Sequence, residues 1–304
     1  MKKMIIAGGS GFLGQNLASH FKEQFDEIVI LSRKISCSKE NVNVRFVQWD
    51  GVSQGEWSKE LEGAAVLINL AGKSVNCRYN RENQRKILYS RLNATGALTI
   101  AISNLVQKPK VWLNAASATI YRHAEDKDMT EATGEYGEGF SVNVCTAWEN
   151  AFLSASIPSI RKIALRIGIV LGKDDGVFIR FKNLVKFGLG GKQGKGTQFF
   201  SWIHVEDFCR SVEWLIDHED QVGIFNITAP APVTNRFLMH QFRRAMNCSI
   251  GLPSPEWMLK IGAVLIGTET ELILKSRRVV PERLVESGFE FSYPTIPVAL
   301  RNLI

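Results

Sequence analysis

The sequence predicts an α/β protein that consists of a doubly wound parallel sheet followed by a smaller C-terminal substrate lobe. Short apolar runs alternate with helical stretches over the first two-thirds of the chain. Continuous apolar strands of this kind are typical of a parallel sheet that helices cover on both faces. A glycine-rich turn directly follows the first run, and glycine- and proline-rich segments interrupt the last third. This late change in pattern indicates the second lobe.

The elements are predicted in chain order from hydrophobic periodicity. The run at 4–7 is the first strand, and the helical stretch after it places Leu13, Leu17, Phe21 and Phe25 four residues apart on one face. Further strands are predicted at 27–32, 44–49, 64–72, 110–117 and within 160–172, and helices around 81–106 and 143–155.

Composition and charge narrow the class of protein. The chain has 304 residues, 45% hydrophobic and 22% charged, with a net charge of +7. These values are typical of a soluble globular protein, and the positive charge suits an anionic small ligand. Lysine and arginine are dispersed rather than arranged in a stripe with aromatic residues, so we expect no nucleic-acid binding.

We predict a cytoplasmic protein that does not enter a membrane. No leader segment precedes the first strand, and the late apolar stretch at 258–267 is too short to span a bilayer and contains Lys260. Five scattered cysteines without a CxxC pair favour free thiols in a reducing compartment over a metal site or disulfides.

A dinucleotide site is predicted at the first turn, GGSGFLG. Gly8, Gly11 and Gly14 lie three residues apart between a strand and an amphipathic helix. The first glycine permits a tight turn, the second lets the backbone approach a pyrophosphate, and the third lets the helix pack closely. The helix N-terminus then favours the phosphates. Within this segment we expect the cofactor to contact Gly8, Ser10, Gly11, Phe12, Leu13 and Gly14.

The end of the second strand favours NADP(H) over NAD(H). An NAD enzyme usually carries a carboxylate there for the ribose hydroxyl, whereas this sequence has Ser32, Arg33 and Lys34. A guanidinium can bind a 2′-phosphate through charge-assisted hydrogen bonds. The alternative is that Arg33 and Lys34 are only exposed charges.

Two domains follow from these patterns. We predict an NADP-binding Rossmann domain at 1–174 together with about 200–228, and a smaller substrate lobe at about 175–199 and 229–304. The first domain is therefore discontinuous, and we expect a small-molecule substrate between the two.

Several motifs resemble the extended short-chain dehydrogenase/reductase superfamily. GGSGFLG is similar to its glycine motif, WIHVED to a late motif, and INLAG to the fourth-strand motif that lines the cofactor, which implies contacts from Leu70, Ala71 and Gly72. AASATIY resembles the strand end that carries the catalytic serine in sugar-nucleotide epimerases, and Ser117 matches that serine.

The match covers essentially the whole chain and points to one subgroup. FSVNVCTAWE, the segment GGKQGKGTQFFSWIHVED and the tail from SRRVVPERL onward resemble atypical epimerase-like members that end in a domain of unknown function of the DUF1731 type. The resemblance implies a Rossmann-type fold more firmly than an activity.

The usual tyrosine–lysine pair of the superfamily is absent. When Glu149 is matched to the glutamate of the family pattern, Ser141 takes the tyrosine position and Cys145 the lysine position. A serine hydroxyl titrates far above a phenol, and a neutral thiol supplies no positive charge.

Three replacements stay open from sequence alone. Tyr121 could donate the proton, although the resemblance implies a structural role for it. Cys145 could act as an acid or nucleophile near a helix start, or pack as a small buried residue. His204 or Asp207 could serve, or anchor the segment that crosses between the lobes.

The helix around 143–155 offers two further interpretations. Val144, Trp148 and Phe152 lie four residues apart and predict a core stripe. Glu149 could bind a substrate hydroxyl or pair with a buried arginine such as Arg166.

Two functions are compatible with these features. The first is an NADP(H)-dependent, epimerase-like oxidoreductase with Ser117, Tyr121 and Cys145 as candidate catalytic residues. The second is a non-catalytic NADP(H)-binding regulator or scaffold, which the missing tyrosine–lysine pair favours. No metal site is predicted, and a homodimer is the assembly we consider.

Overall fold

The computed structural model describes residues 1–35, 43–173, 176–265, 269 and 271–304, without the side chains of 262–265 and 272–273. The strands are β1 Lys3–Ala7, β2 Glu27–Ser32, β3 Val44–Gln48, β4 Val66–Asn69, β5 Val111–Ser117, β6 Arg161–Ile167, β7 Ile169–Leu171, β8 Phe199–Phe200, β9 Trp202–His204, β10 Gly223–Ile227 and β11 Val233–Thr234. The helices are α1 Phe12–Phe21, α2 Arg81–Ser103, α3 Phe140–Leu153, α4 Gly176–Lys186, α5 Val205–Asp217, α6 Asn235–Ala245, α7 Glu256–Leu265, α8 Glu271–Leu274, α9 Glu282–Glu286 and α10 Ile296–Leu303.

Seven strands form one parallel sheet in the order β10-β6-β5-β4-β1-β2-β3. Every neighbouring pair is parallel. The order reverses beside β1, which is the switch point where ligands bind in doubly wound sheets. The predicted fold class is therefore confirmed. Two small pairs, β8 with β11 and β7 with β9, lie outside this sheet.

Both faces of the sheet are covered, which explains why its strands, β1 and β2 above all, are mostly apolar. In β1, Met4 and Ile6 pack into a first core with α1 and α5, whereas Ile5 and Ala7 pack into a second core with α2. The period-two alternation of side chains sends successive residues of one strand into opposite cores.

A third core lies in the C-terminal part of the chain. It joins α4, α6 and α10 around Trp202, Phe242 and Leu300. The tail is not confined to this core, since Leu284 and Phe289 pack into the first core beneath the main sheet. The division into two lobes stays a prediction, and its boundary at 174–175 lies outside the described residues.

Helices α1 and α3 begin or end at residues other than those predicted, because a turn or a glycine lies at that end. Helix α1 ends at Phe21, so Phe25 reaches the core from the turn that follows. Helix α3 begins at Phe140, earlier than predicted. Gly139, with φ 98°, changes the direction of the chain there so that the helix can start.

Four cysteines, at 77, 145, 209 and 248, are free thiols, and Cys37 lies outside the described residues. Among the helices that the structure describes, none is long and apolar enough to cross a bilayer.

Candidate cofactor and catalytic site

The glycine turn lies at the carboxyl end of β1, between β2 and the segment after β4. The Gly8 amide donates to the Leu31 carbonyl at 2.8 Å. Gly8 has φ 72°, and an added Cβ would stand 2.6 Å from the Cα of Ala71. Only glycine therefore combines this left-handed turn with such close contact.

The start of α1 faces the same edge. Its cap residue is Gly11, which has no side chain to accept hydrogen bonds from the first-turn amides, and a Cβ there would meet nothing within 4 Å. An added Cβ on Gly14 would instead overlap the Gly9 backbone. The helix thus packs tightly at Gly14 and leaves room at Gly11, which is the arrangement that a pyrophosphate needs. Ser10 is exposed, and Phe12 and Leu13 are half-buried.

The end of β2 carries a buried serine and two exposed cations. Ser32 is buried and its hydroxyl donates to the Lys34 carbonyl at 2.5 Å, which turns the chain outward. Arg33 and Lys34 are exposed. Because Leu31 bonds to Gly8, these cations stand next to the glycine turn.

The segment after β4 completes this edge. The Leu70 amide donates to the Ala7 carbonyl at 2.8 Å, and the Ala71 amide donates to the Asn69 side chain at 3.0 Å. Gly72 lies against the Arg91 side chain, whose Cζ would be 3.2 Å from an added Cβ. The structure thus brings all three predicted cofactor segments to one sheet edge.

Ser117 ends β5 at the same edge of the sheet. Its hydroxyl accepts from the Thr119 amide at 3.2 Å and lies near the Cys145 thiol, whose pKa it acts to lower. Burial raises the pKa of Cys145 to about 11. The thiol is therefore protonated at neutral pH, and this geometry disfavours the nucleophilic role, although Cys145 remains a donor beside Ser117.

Tyr121 is buried and its hydroxyl is fully engaged. Its single O–H has two acceptors in reach, the Asn226 amide oxygen at 2.9 Å and the Thr130 carbonyl at 3.1 Å, and its oxygen accepts from Arg166 at 2.7 Å. Burial raises its pKa. A swing toward substrate would break these contacts, so the geometry favours the structural interpretation.

Glu149 and Arg166 form a buried ion pair, which confirms that interpretation of Glu149. The guanidinium binds both carboxylate oxygens, from Nε at 2.8 Å and from Nη2 at 2.6 Å. Nη2 also donates to the Tyr136 hydroxyl at 2.6 Å. The stripe of Val144, Trp148 and Phe152 is buried, as predicted.

His204 and Asp207 hold the C-terminal tail. His204 accepts from the Glu206 amide at 3.1 Å and stacks on Tyr293 at 3.7 Å. The Asp207 carboxylate accepts from the backbone amides of Ser292 and Tyr293 at 2.9 and 2.8 Å. Both residues therefore contact the tail, whereas the second interpretation had them anchor the segment that crosses between the lobes; that role stays a prediction.

A phenol that the sequence patterns did not single out lies beside Ser141. The Tyr79 hydroxyl lies near the Ser141 hydroxyl, which donates to Glu271 at 3.1 Å. Burial raises the pKa of Tyr79. Ser141 stands at the position that the resemblance assigns to the catalytic tyrosine, and Tyr79 brings a phenol near it from the segment before α2.

Two arginines add positive charge around Cys145. Arg91 donates to the Lys73 carbonyl at 3.0 Å and lies 5.0 Å from the ring of Trp148. Arg277 comes from the tail, and both guanidinium groups act electrostatically on the thiol. We call Tyr79, Ser117, Ser141, Cys145, Glu271 and Arg277 the Ser117 cluster.

The Ser117 cluster could not be read from spacing. Its members come from five separate segments of the chain, and no motif joins Tyr79 or Arg277 to the other residues. The one signal in the sequence was indirect. The predicted helix lacks the tyrosine and the lysine of the family pattern, so an enzyme of this kind would need a phenol and a cation from other segments.

A surface cavity of about 520 Å³ lies away from these residues in the C-terminal part. It is lined by four basic side chains, Lys192, Arg236, His240 and Arg243. None of the predicted site residues lines it.

Comparison with known proteins places this geometry in a family. Residues 4–228 match the model of the NAD dependent epimerase/dehydratase family. The chain belongs to that family. Residues 254–303 match a domain of unknown function, DUF1731. Both matches confirm the resemblance that the motifs indicated.

Similar proteins align over nearly the whole of this chain. The epimerase family protein YfhF of Bacillus subtilis is 33% identical over 98% of this chain and 97% of its own. The crystal structure of human epimerase family protein SDR39U1 with NADPH has a TM-score of 0.87 at 27% identity, covering 99% of this chain and 98% of that one. A nucleoside-diphosphate sugar epimerase from Corynebacterium glutamicum has a TM-score of 0.78 at 27% identity, covering 99% of this chain and 58% of that one.

Proposed function

We propose that this protein is an NADP(H)-dependent oxidoreductase that acts on a small polar substrate beside the Ser117 cluster. The observation that carries the proposal is the edge of the sheet where the glycine turn, the cations after β2 and the segment 70–72 meet. The human relative SDR39U1 was crystallised with NADPH, which supports the same cofactor here.

The residues at this edge fit NADP(H). Gly11 leaves space for a pyrophosphate at the first-turn amides of α1. Arg33 is exposed beside the glycine turn, where a 2′-phosphate would lie, and the end of β2 has no carboxylate to repel it. The cofactor, when bound, supplies hydride transfer.

The protein supplies orientation and a proton. Ser117 is in position to hold a substrate oxygen at the end of β5. Tyr79 acts as the proton donor in place of the missing tyrosine, and its raised pKa keeps the phenol protonated at neutral pH. A protonated phenol can give its proton to a substrate oxygen, which is the step that reduction of a carbonyl group requires.

A non-catalytic NADP(H)-binding regulator is the second candidate function. It is favoured by the commitment of Tyr121 to the Arg166 network and by the protonated state of the Cys145 thiol. Purified protein is mixed with NADPH and a panel of ketones, aldehydes and sugar nucleotides while nicotinamide absorbance is followed. Oxidation of NADPH by any member supports the enzyme, and tight NADPH binding without turnover supports the regulator.

The Arg33→Ala variant tests the cofactor assignment. We expect NADPH affinity to fall about ten- to hundred-fold, because a charge-assisted contact to the 2′-phosphate is lost. NADH affinity should change little, since NADH lacks that phosphate. Fluorescence titration of both cofactors measures the difference.

Lys22→Ala is the matched control, because Lys22 is an exposed cation at the far end of α1 from the glycine turn. It should leave both affinities unchanged. Equal losses for NADPH and NADH in Arg33→Ala, or tighter binding of NADH by the native chain, would contradict NADP(H) as the cofactor.

The cytoplasmic location and a homodimer remain predictions, and the proposal depends on neither.

A further inference from the structure

Arg277 has buried donors without an acceptor. Among the described residues, neither its Nε nor its Nη2 atom has a hydrogen-bond partner, although both atoms are buried. The side chain is 12% exposed. Leaving charged N–H groups buried and unpaired is costly, so such a group points to a partner of opposite charge.

The two free donors lie on one edge of the guanidinium. Nε–H and Nη2–H point in the same direction and form the fork that binds two oxygens of one carboxylate or phosphate. A single oxyanion can therefore satisfy both donors at once.

The nearby carboxylate does not fill this fork. Glu271 Oε1 is 3.9 Å from Nη2, beyond a hydrogen bond. The Glu271 carboxylate is instead held by the Ser141 hydroxyl at 3.1 Å and by Lys275 Nζ at 3.4 Å.

Hydrogen bonds hold the backbone of Arg277, whereas two donors of its side chain have no acceptor. Its amide donates to the Phe199 carbonyl at 3.0 Å, and its carbonyl accepts from the Ser201 hydroxyl at 2.6 Å. These contacts attach the tail to the segment around β8 and direct the guanidinium toward Cys145 and Tyr79, with which it interacts electrostatically.

We propose that Arg277 binds an oxyanion of the substrate, a carboxylate or a phosphate, close to the reacting carbon. The inference rests on the proposed function, since it places the anion beside Ser117. The expected substrate carries its carboxylate or phosphate near the carbon that is oxidised or reduced. Arg277, in the C-terminal domain, then orients that carbon by binding the acid group. The tail thereby contributes to the site as well as to packing.

The test uses thermal unfolding of the full-length protein in malonate or in inorganic phosphate, with chloride at matched ionic strength as the reference. We expect malonate, phosphate or both to raise the melting temperature of the native chain above the chloride value, because a ligand of the folded state stabilises it. Malonate alone indicates a carboxylate substrate, and phosphate alone indicates a phosphate ester.

Arg277→Met should abolish that increase, with an affinity loss of about ten- to hundred-fold. Without anion, the variant should melt at the same temperature as the native chain or higher, because two buried donors without an acceptor have been removed. Arg278→Gln is the control, since Arg278 is bonded to Asp128 at the surface. It should keep the increase.

Two outcomes would overturn the proposal. One is an equal increase, or none, in the native chain and Arg277→Met. The other is a lower melting temperature of Arg277→Met in chloride, which would show that the guanidinium has a structural partner. NADPH titration of the same samples separates this result from failure of the proposed function, since NADPH binding does not depend on the anion.

Discussion

The side chains of Arg166 and Glu149 are 2% and 4% exposed, and each depends on the other to neutralise its charge. Two phenol oxygens, of Tyr121 and Tyr136, complete the donors of the guanidinium. Buried pairs of this kind add little net stability over apolar packing, but removing one partner leaves the other charge unpaired. The pair therefore fixes how α3 and β6 meet behind the Ser117 cluster.

Glu149→Gln should lower the free energy of unfolding by about 3–5 kcal/mol, because the Arg166 guanidinium loses its counter-ion in the interior. Chemical denaturation followed by circular dichroism measures the loss. Glu60→Gln is the comparison, since its partner Arg45 is 43% exposed, and it should cost no more than about 1 kcal/mol. Similar losses in the two variants would show that the Arg166 pair is not isolated from water.

Single residues were predictable where a pattern connects them to a neighbour. Ser117, Gly8 and Arg33 stand at strand ends, and parallel topology alone brings strand ends to one edge. The pairing of Glu149 with Arg166 was one of two alternatives that the sequence left open. Tyr79 and Arg277 meet only through tertiary packing of the tail, and no local periodicity encodes that contact.

The helices and strands of the first two-thirds of the chain were predictable because the spacing of their apolar residues distinguishes a helix from a strand. Helix α1 is the clearest, since its one glycine, Gly14, is required by close packing. Gly14 packs against the Gly9 backbone, whereas Gly96 in α2 has nothing within 4 Å of an added Cβ. The short strands β7, β8, β9 and β11 carry too few residues for a period to show.

Gly14→Ala should therefore weaken NADPH binding and lower stability, because the new methyl group pushes α1 away from the glycine turn. Gly96→Ala should raise the free energy of unfolding by about 0.5–1 kcal/mol, as expected for glycine replaced in a helix interior. Thermal melts and NADPH titration of the two variants provide the comparison. Retained stability and NADPH affinity in Gly14→Ala would mean that the helix start tolerates displacement.

On the scale of the whole molecule, the tail connects the first core, the third core and the Ser117 cluster. Leu284 and Phe289 enter the first core, α10 enters the third, and Arg277 reaches the Ser117 cluster. The lobe division predicted from glycine- and proline-rich segments describes the chain order, but it did not anticipate a tail that returns to the main sheet. A return of this kind depends on the three-dimensional packing of apolar faces, which sequence order does not contain.

This connection predicts that the cores unfold together. Leu300 is 1% exposed in the third core. Leu300→Ala should lower the free energy of unfolding by about 2–5 kcal/mol, because it leaves a cavity. The variant should still unfold in one transition, at the same midpoint by tryptophan fluorescence and by circular dichroism. The reason is that the Asp207 bonds to residues 292–293 and the packing of Leu284 couple the third core to the sheet.

Val285→Ala is the control, since this side chain is 51% exposed and its loss should change stability little. Two separated transitions in Leu300→Ala would show that the C-terminal core is an independent unit and that the tail does not couple it to the cofactor edge.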